Sequence, residues 1–287
     1  MNTVPDFLAS ECELRGPTAR FHVLPVPLES SVSYGGGTAA GPTAILEASQ
    51  QLEAWDGSSC PLEEGIHTLP AVDCTGPVET VLARIEAAVL PVLEAGNIPI
   101  LLGGEHTVTL GSLRALASST REPVGLIQID AHADLRDTYE GSVYSHACVA
   151  RRVLDELNIP LFQFGVRALS QEEAQLRQQD SRISFLDAAT FAEEGFPAVL
   201  LPPDFPQHIY LSFDVDGLDP AVIRATGTPV PGGPGWYDCL NFIRRAIKGR
   251  RIVGFDVVEL APQAEDHASS FAAAQLVYSI MGLVQRN

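Results

Sequence analysis

Four apolar runs of this 287-residue chain stop abruptly in carboxylates and histidines, and that pattern constrains the fold more than any other feature. IPILLGG passes into Glu105 and His106, PVGLIQI into Asp130, His132 and Asp134, HIYLSF into Asp214 and Asp216, and RIVGF into Asp256 and Glu259. Each run is continuous Ile, Leu, Val and Phe rather than an alternation with polar residues, which marks strands covered on both faces, as in a parallel sheet. FHVLPVP and LFQFGVR read as two further strands. Helix-like segments separate them: PTAILEASQQLEAW with Pro42 in its first turn, PVETVLARIEAAVLPVLEAG stopped by Gly96, one from about Val108, and a core-facing C-terminal helix, FAAAQLVYSIMGLV. Strand-helix-strand order predicts an α/β fold with a doubly wound, mostly parallel sheet. No repeat, low-complexity tract or dividing linker interrupts it, so residues 1–287 are expected to form a single domain, with 1–20 a peripheral N-terminal extension.

Charge narrows the function classes. Thirty-six acidic residues against 18 basic give a net charge of −18, which excludes a nucleic-acid backbone or an anionic membrane as partner and leaves room for a small cationic substrate. MNTVPDFLASECELRG has no basic, then apolar, leader pattern, and the apolar C-terminal stretch is shorter than a bilayer requires. The five cysteines are scattered without metal or redox spacing, which predicts free thiols and a cytoplasmic location; Cys148 reads as a small buried apolar residue. Gly35 to Gly37 lack a phosphate-loop pattern and suggest a tight turn near the site entrance, while TGTPVPGGPG is long enough to suggest a functional loop.

In an open parallel sheet, ligands gather beyond the carboxyl ends of the strands. Alternate side chains on a strand share a side, so Asp130, His132 and Asp134 are expected to project together, as are Asp214 and Asp216. With His106 this gathers four carboxylates and two imidazoles. Uncompensated, the carboxylates would repel and protonate. Six ligands exceed one tetrahedral site and suit two ions bridged by shared carboxylates, and oxygen-rich ligation without thiolate favours Mn2+ or a similar hard ion.

GGEHTVTLG, DAHADLRD, SFDVDGLDP and VVELAP resemble the signature stretches of the ureohydrolase family of arginases, agmatinases and formimidoylglutamases. The resemblance runs from about Phe21 to the C-terminus, and YSHACVARR brings it nearest to the bacterial and archaeal agmatinases. It implies an arginase-like three-layer α/β/α fold and two Mn2+ per chain. His106, Asp130, Asp134 and Asp214 would hold one ion, and His132, Asp130, Asp214 and Asp216 the other. It further implies His146 as proton shuttle, Glu259 as the carboxylate holding a guanidinium group, and a homo-oligomer, trimer or hexamer. Glu105 stands where Asp is usual, Ala147 where Gly is commoner, and Arg224 where a small residue or Pro is usual, in a loop near the site mouth.

The implied reaction is hydrolysis of a guanidino compound to urea and an amine, with Asp134 and His146 carrying protons. Agmatine, giving putrescine in polyamine biosynthesis, ranks before guanidino acids such as guanidinobutyrate or guanidinopropionate, and arginine third. Asp137 and Glu140 in the following loop favour a cation, whereas Arg136 could pair locally or welcome a carboxylate. A metal-dependent amide deacetylase and a non-catalytic binding module are the alternatives outside the ureohydrolases.

Overall fold

Six of the apolar runs form strands where the sequence predicts them, and two short strands complete the sheet. The computed structural model describes residues 4–287. Its strands are β1 (Phe21–Val26), β2 (Ile66–Thr68), β3 (Ile98–Gly103), β4 (Val124–Ile129), β5 (Leu161–Phe164), β6 (Ile183–Leu186), β7 (His208–Asp214) and β8 (Arg251–Val258). They pair in parallel throughout, in the order β2-β1-β3-β8-β7-β4-β5-β6. The four runs with polar ends are therefore four adjacent strands at the centre of the sheet. The chain leaves β3 for β4 across a gap that β7 and β8 later fill, and the four polar ends are brought to one rim.

The helices are α1 (Gly41–Ser49), α2 (Val78–Glu94), α3 (Val108–Ser119), α4 (Val149–Arg152), α5 (Gln171–Gln179), α6 (Ala188–Glu194), α7 (Trp236–Ala246) and α8 (His267–Gln285). Strand side chains alternate between two cores, which makes the layers. Ile100, Leu102 and Phe255 face α1, α7 and α8, whereas Leu101, Leu126 and Tyr210 face α2, α3 and α4. Phe164 on β5 stacks on Phe242 of α7 with ring centroids 4.1 Å apart, a contact whose truncation to Ala costs about 3–5 kcal/mol.

Three expectations need correction. Residues 1–20 are not a peripheral extension in their described part: Phe7 and Leu8 are buried in the core, and their backbone N–H groups donate to Thr68 Oγ1 and Ser49 Oγ. α1 stops at Ser49 rather than continuing to Trp55, and there the Ser49 hydroxyl donates back to the Leu46 carbonyl. α8 has 19 residues, more than its apolar stretch alone suggested; by length and composition it could cross a membrane, but 56% of its most apolar window is buried in the protein, and it packs on α1.

Candidate active site

β4 ends at Ile129, and Asp130, His132 and Asp134 lie beyond it in irregular backbone. Strand alternation is therefore not what gathers them. Asp134 sits at φ +52° and Glu259 at φ +65°, in the left-handed region that side chains other than glycine rarely occupy. Such conformations persist where the surroundings enforce them, and they cluster at sites of chemistry. Asp214 is the last residue of β7, and Asp216 lies on the 3-10 turn Val215–Gly217, whose first N–H groups fold back so that Asp216 N donates to Asp214 Oδ1 at 2.8 Å. Two glycines permit the crowding: a Cβ on Gly104 would lie 2.0 Å from the Leu28 carbonyl oxygen, and one on Gly217 2.8 Å from Asp130 N.

The result is two groups of ligand atoms that share Asp130. His106, Asp130 and Asp134 form one and Asp130, His132 and Asp216 the other, with the atoms of each group within 4.8 Å of one another. His106 Nδ1 lies 3.2, 3.0 and 3.4 Å from carboxylate oxygens of Asp130, Asp134 and Asp214, yet it makes no hydrogen bond. Three oxygens converging on one ring nitrogen describe a coordination shell rather than hydrogen-bond geometry. His132 Nδ1 is 3.0 Å from Asp216 Oδ2. The donor set is four carboxylates and two imidazoles without thiolate, and it fits a pair of hard divalent ions.

Residues that carry no sequence-assigned role at the site hold these ligands. Asp256 accepts hydrogen bonds from Thr109, Tyr210 and Ser212, and Ser212 Oγ is 2.8 Å from His106 Nε2. Since Ser212 gives its one proton to Asp256, His106 Nε2–H donates to Ser212, which leaves Nδ1 as the ring nitrogen available to an ion. Gln163 donates to Gln128, which donates to Asp130 Oδ2 at 2.7 Å. Arg167 donates to five backbone carbonyls, those of Gly165, Asp216, Gly217, Leu218 and Val230, and so ties the β7 turn to the Pro- and Gly-rich loop. Thr109 and Ser212 fall inside the signature stretches and Asp256 at a strand end, yet sequence alone gives them no task, because each acts through burial that only the fold reveals.

The ionisation of the cluster is in conflict with itself. At an effective dielectric of about 20, two like charges 4.8 Å apart repel by about 3 kcal/mol. Burial and then the Asp130 charge push Asp134 up to about 7, and burial, Asp216 and Asp130 push Asp214 well up. Asp130 is held low, because His106 and His132 beside it outweigh its burial. Burial opposes the charging of His132, but Asp130 and Asp216 draw it up to about 12. Divalent cations remove this conflict at once.

Above the cluster opens a cavity of about 300 Å³ whose lining includes Asp134, His146, Glu259, Glu173 and Arg136. Glu259 accepts from His106 N at 2.7 Å, and burial pushes it up to about 8. His146 is half-buried and held by Ser31 and Ser33, with burial lowering its pKa. Ala147 also lines the cavity, but Arg224 does not; its exposed guanidinium is 3.6 Å from Asp266 at the start of α8. Asp137 and Glu140 are not among the lining residues either: Asp137 pairs with Arg152, and Glu140 is exposed on the 139–142 turn. Arg136 stacks on Tyr139 and points towards Glu173, 4.0 Å away, so it pairs locally. Glu105 turns away from the cluster towards Ser30 and Ser31. Cys148 is buried, with burial raising its thiol to about 11, a poor nucleophile.

Known proteins resemble this one over nearly the whole chain. The model of the Arginase family matches residues 19–282. The N(1)-aminopropylagmatine ureohydrolase of Synechocystis sp. is 39% identical, with 96% of this chain and 92% of that protein covered. The agmatinase of Pyrococcus horikoshii is 33% identical, with 93% of each covered. Among solved structures, the agmatine ureohydrolase of Thermoplasma volcanium is 32% identical and superimposes with a TM-score of 0.84, over 94% of this chain and 91% of that one.

Proposed function

The chain belongs to the arginase family, as an agmatinase-like ureohydrolase, and on that premise we propose that it releases urea from a guanidine carried on a polyamine chain, N(1)-aminopropylagmatine first and agmatine second, with two Mn2+ in the cluster. The observation that carries this reading is the pair of ligand groups sharing Asp130 on the floor of a cavity that Glu259 also lines. One ion would be held by His106, Asp130, Asp134 and Asp214, and the other by His132, Asp130, Asp214 and Asp216. When bound, the ions supply an acidified water as nucleophile.

The chain's own residues do the rest. A guanidinium carbon is a poor electrophile, because its charge is shared by three nitrogens. Glu259, fixed by its bond from His106 N, pairs with guanidinium N–H groups and places the carbon over the cluster. Water oxygen adds to that carbon, and the bond to the chain-bearing nitrogen breaks once this nitrogen has gained a proton. Asp134, held near neutrality at about 7, carries that proton from the water to the leaving amine. His146 exchanges protons with solvent at the rim. The products are urea and an amine: spermidine from aminopropylagmatine, putrescine from agmatine.

The order of substrates changes from the sequence-based expectation of agmatine because of the name borne by the Synechocystis relative. The cavity supports a cationic chain over an α-carboxylate. Its one lining arginine, Arg136, is engaged with Glu173 and Tyr139, and no free cation faces an anion. A trimer or hexamer in a reducing cytoplasm completes the reading, with five free thiols in its support. Urea assays with aminopropylagmatine, agmatine, guanidinobutyrate and arginine side by side test it. A higher kcat/KM for guanidinobutyrate or arginine than for both amines would overturn the substrate class.

A further inference from the structure

Glu105 is buried with 1% of its surface exposed, belongs to neither ligand group, and accepts four hydrogen bonds from two residues of one loop. Ser30 N and Ser31 N donate to its Oε2, and Ser30 Oγ and Ser31 Oγ donate to its Oε1 at 3.0 and 3.1 Å. An ionised carboxylate has about four such acceptor positions, and all are filled. Ser31 Oγ then touches His146 twice, at 3.1 Å from the backbone N and 2.9 Å from Nδ1. A serine hydroxyl has one proton and two lone pairs. Its proton is committed to Glu105, and one lone pair takes His146 N–H. The other can only accept, so the hydrogen between Ser31 and His146 belongs to Nδ1.

We propose that Glu105, acting through Ser31, is a positioning residue that fixes His146 as the Nδ1–H tautomer and so makes Nε2 the nitrogen that gives and takes protons. Two ring contacts remain, and the one at Nδ1 is Ser145 Oγ at 3.4 Å, farther than Ser31 and equally able to accept from Nδ1–H. Nε2 is 2.8 Å from Ser33 Oγ, the hydroxyl of an exposed residue that donates to Tyr139 OH over a longer 3.4 Å. Ser33 can turn its proton towards Nε2 or accept one from it, and being exposed it passes that proton to water. The Tyr139 ring, edge-on to His146 with centroids 5.7 Å apart, closes the side of the imidazole. This gives the residue at position 105 a task that depends on the reach of its side chain: the carboxylate must stretch past the turn to residues 30 and 31. The proposal rests on the reading of His146 as a proton carrier only for its kinetic consequence, since the tautomer is a property of the folded chain.

The test combines 15N spectra of the imidazoles in the metal-free protein with kinetics of the Mn2+-loaded enzyme, using Ser31→Ala, Glu105→Asp, His146→Ala and the Ser31→Ala/His146→Ala pair. The His146 signals are assigned by their loss in His146→Ala. The expected spectrum shows Nδ1 protonated and Nε2 bare, and Ser31→Ala shifts the balance towards Nε2–H. Ser31→Ala lowers kcat by about tenfold, with KM and Mn2+ affinity within about twofold of the parent. Glu105→Asp moves both readouts in the same direction, and Ser31→Ala has no further effect once His146 is Ala. A parent spectrum dominated by Nε2–H overturns the proposal. So does a Ser31→Ala enzyme with unchanged kcat where His146→Ala is impaired, or a Ser31→Ala effect that persists without His146. If His146→Ala alone keeps full kcat, the proton-carrier reading fails, and the spectrum still decides the tautomer.

Discussion

The sheet has a cavity at each end of its central strands, and the two are nearly equal in size. The one over the carboxyl ends measures about 300 Å³; the one at the amino ends, lined by Ile98, Val124, His208 and Arg251, measures about 310 Å³. The same β3, β4, β7 and β8 frame both. They differ in what is buried. The titratable groups lining the amino-end cavity, Glu122, His208 and Arg251, are half-buried or exposed, so water pays for their charge. At the carboxyl end, Asp130, Asp134, Asp214 and Asp216 are all buried within reach of two histidines. Concavity is a by-product of strands ending together, whereas carboxylates removed from water persist only with a counter-charge. The carboxyl end is the candidate site for that reason.

Substitutions at the two ends sharpen the contrast. Asp130→Ala removes the ligand common to both groups, and urea release is expected to fall by at least about 10³-fold with loss of bound metal. The matched changes at the other end, His208→Ala and Arg251→Ala, are expected to leave kcat/KM within about twofold. Equal damage from both ends would break the comparison. His146→Ala is expected to lower kcat by about 10²-fold with metal content intact. Asp256→Asn weakens the hold of Ser212 on His106 and is expected to reduce Mn2+ affinity by about 10- to 100-fold, measured by titration calorimetry.

The smallest effect is one of stability. Asp134, Glu259 and His132 are all raised, to about 7, 8 and 12, so the folded metal-free protein holds protons that the unfolded chain releases. Their stabilisation is present at low pH and is lost as pH rises through those values. Asp130, which is lowered, acts in the opposite sense only below the ordinary carboxylate range, and the lowered His22 and His146 oppose the trend only up to the ordinary histidine value of 6.5. The metal-free Tm is therefore expected to fall from about pH 5 to about pH 8, and the Tm gain on adding Mn2+ to grow over that interval. A gain that shrinks with pH would contradict the assignment of these groups to the metal site.

Much of this contrast was legible in the sequence. The central strands are unbroken apolar runs, and the abrupt polar residues at their ends name the rim where chemistry collects. Less was legible where tertiary contact decides. β2 and β6 are three- and four-residue strands whose short runs give no hydrophobic signal of their own. Period-two spacing gathered carboxylates that do lie together, but for an incomplete reason, since Asp134 and Asp216 reach the cluster from a left-handed residue and a tight turn. Asp256 reads as one more strand-end acid beside Glu259, yet strand alternation turns it beneath His106 while Glu259 lines the cavity. Glu105 reads as a conservative neighbour of a ligand, and its partners at Ser30 and Ser31 lie more than seventy positions earlier in the chain.

Anomalous diffraction at the manganese edge from crystals of the Mn2+-loaded protein tests the central claim most directly. Two peaks are expected, one among His106, Asp130, Asp134 and Asp214, the other among His132, Asp130, Asp214 and Asp216. A single peak, or none at this rim in an enzyme that still releases urea, would contradict the account.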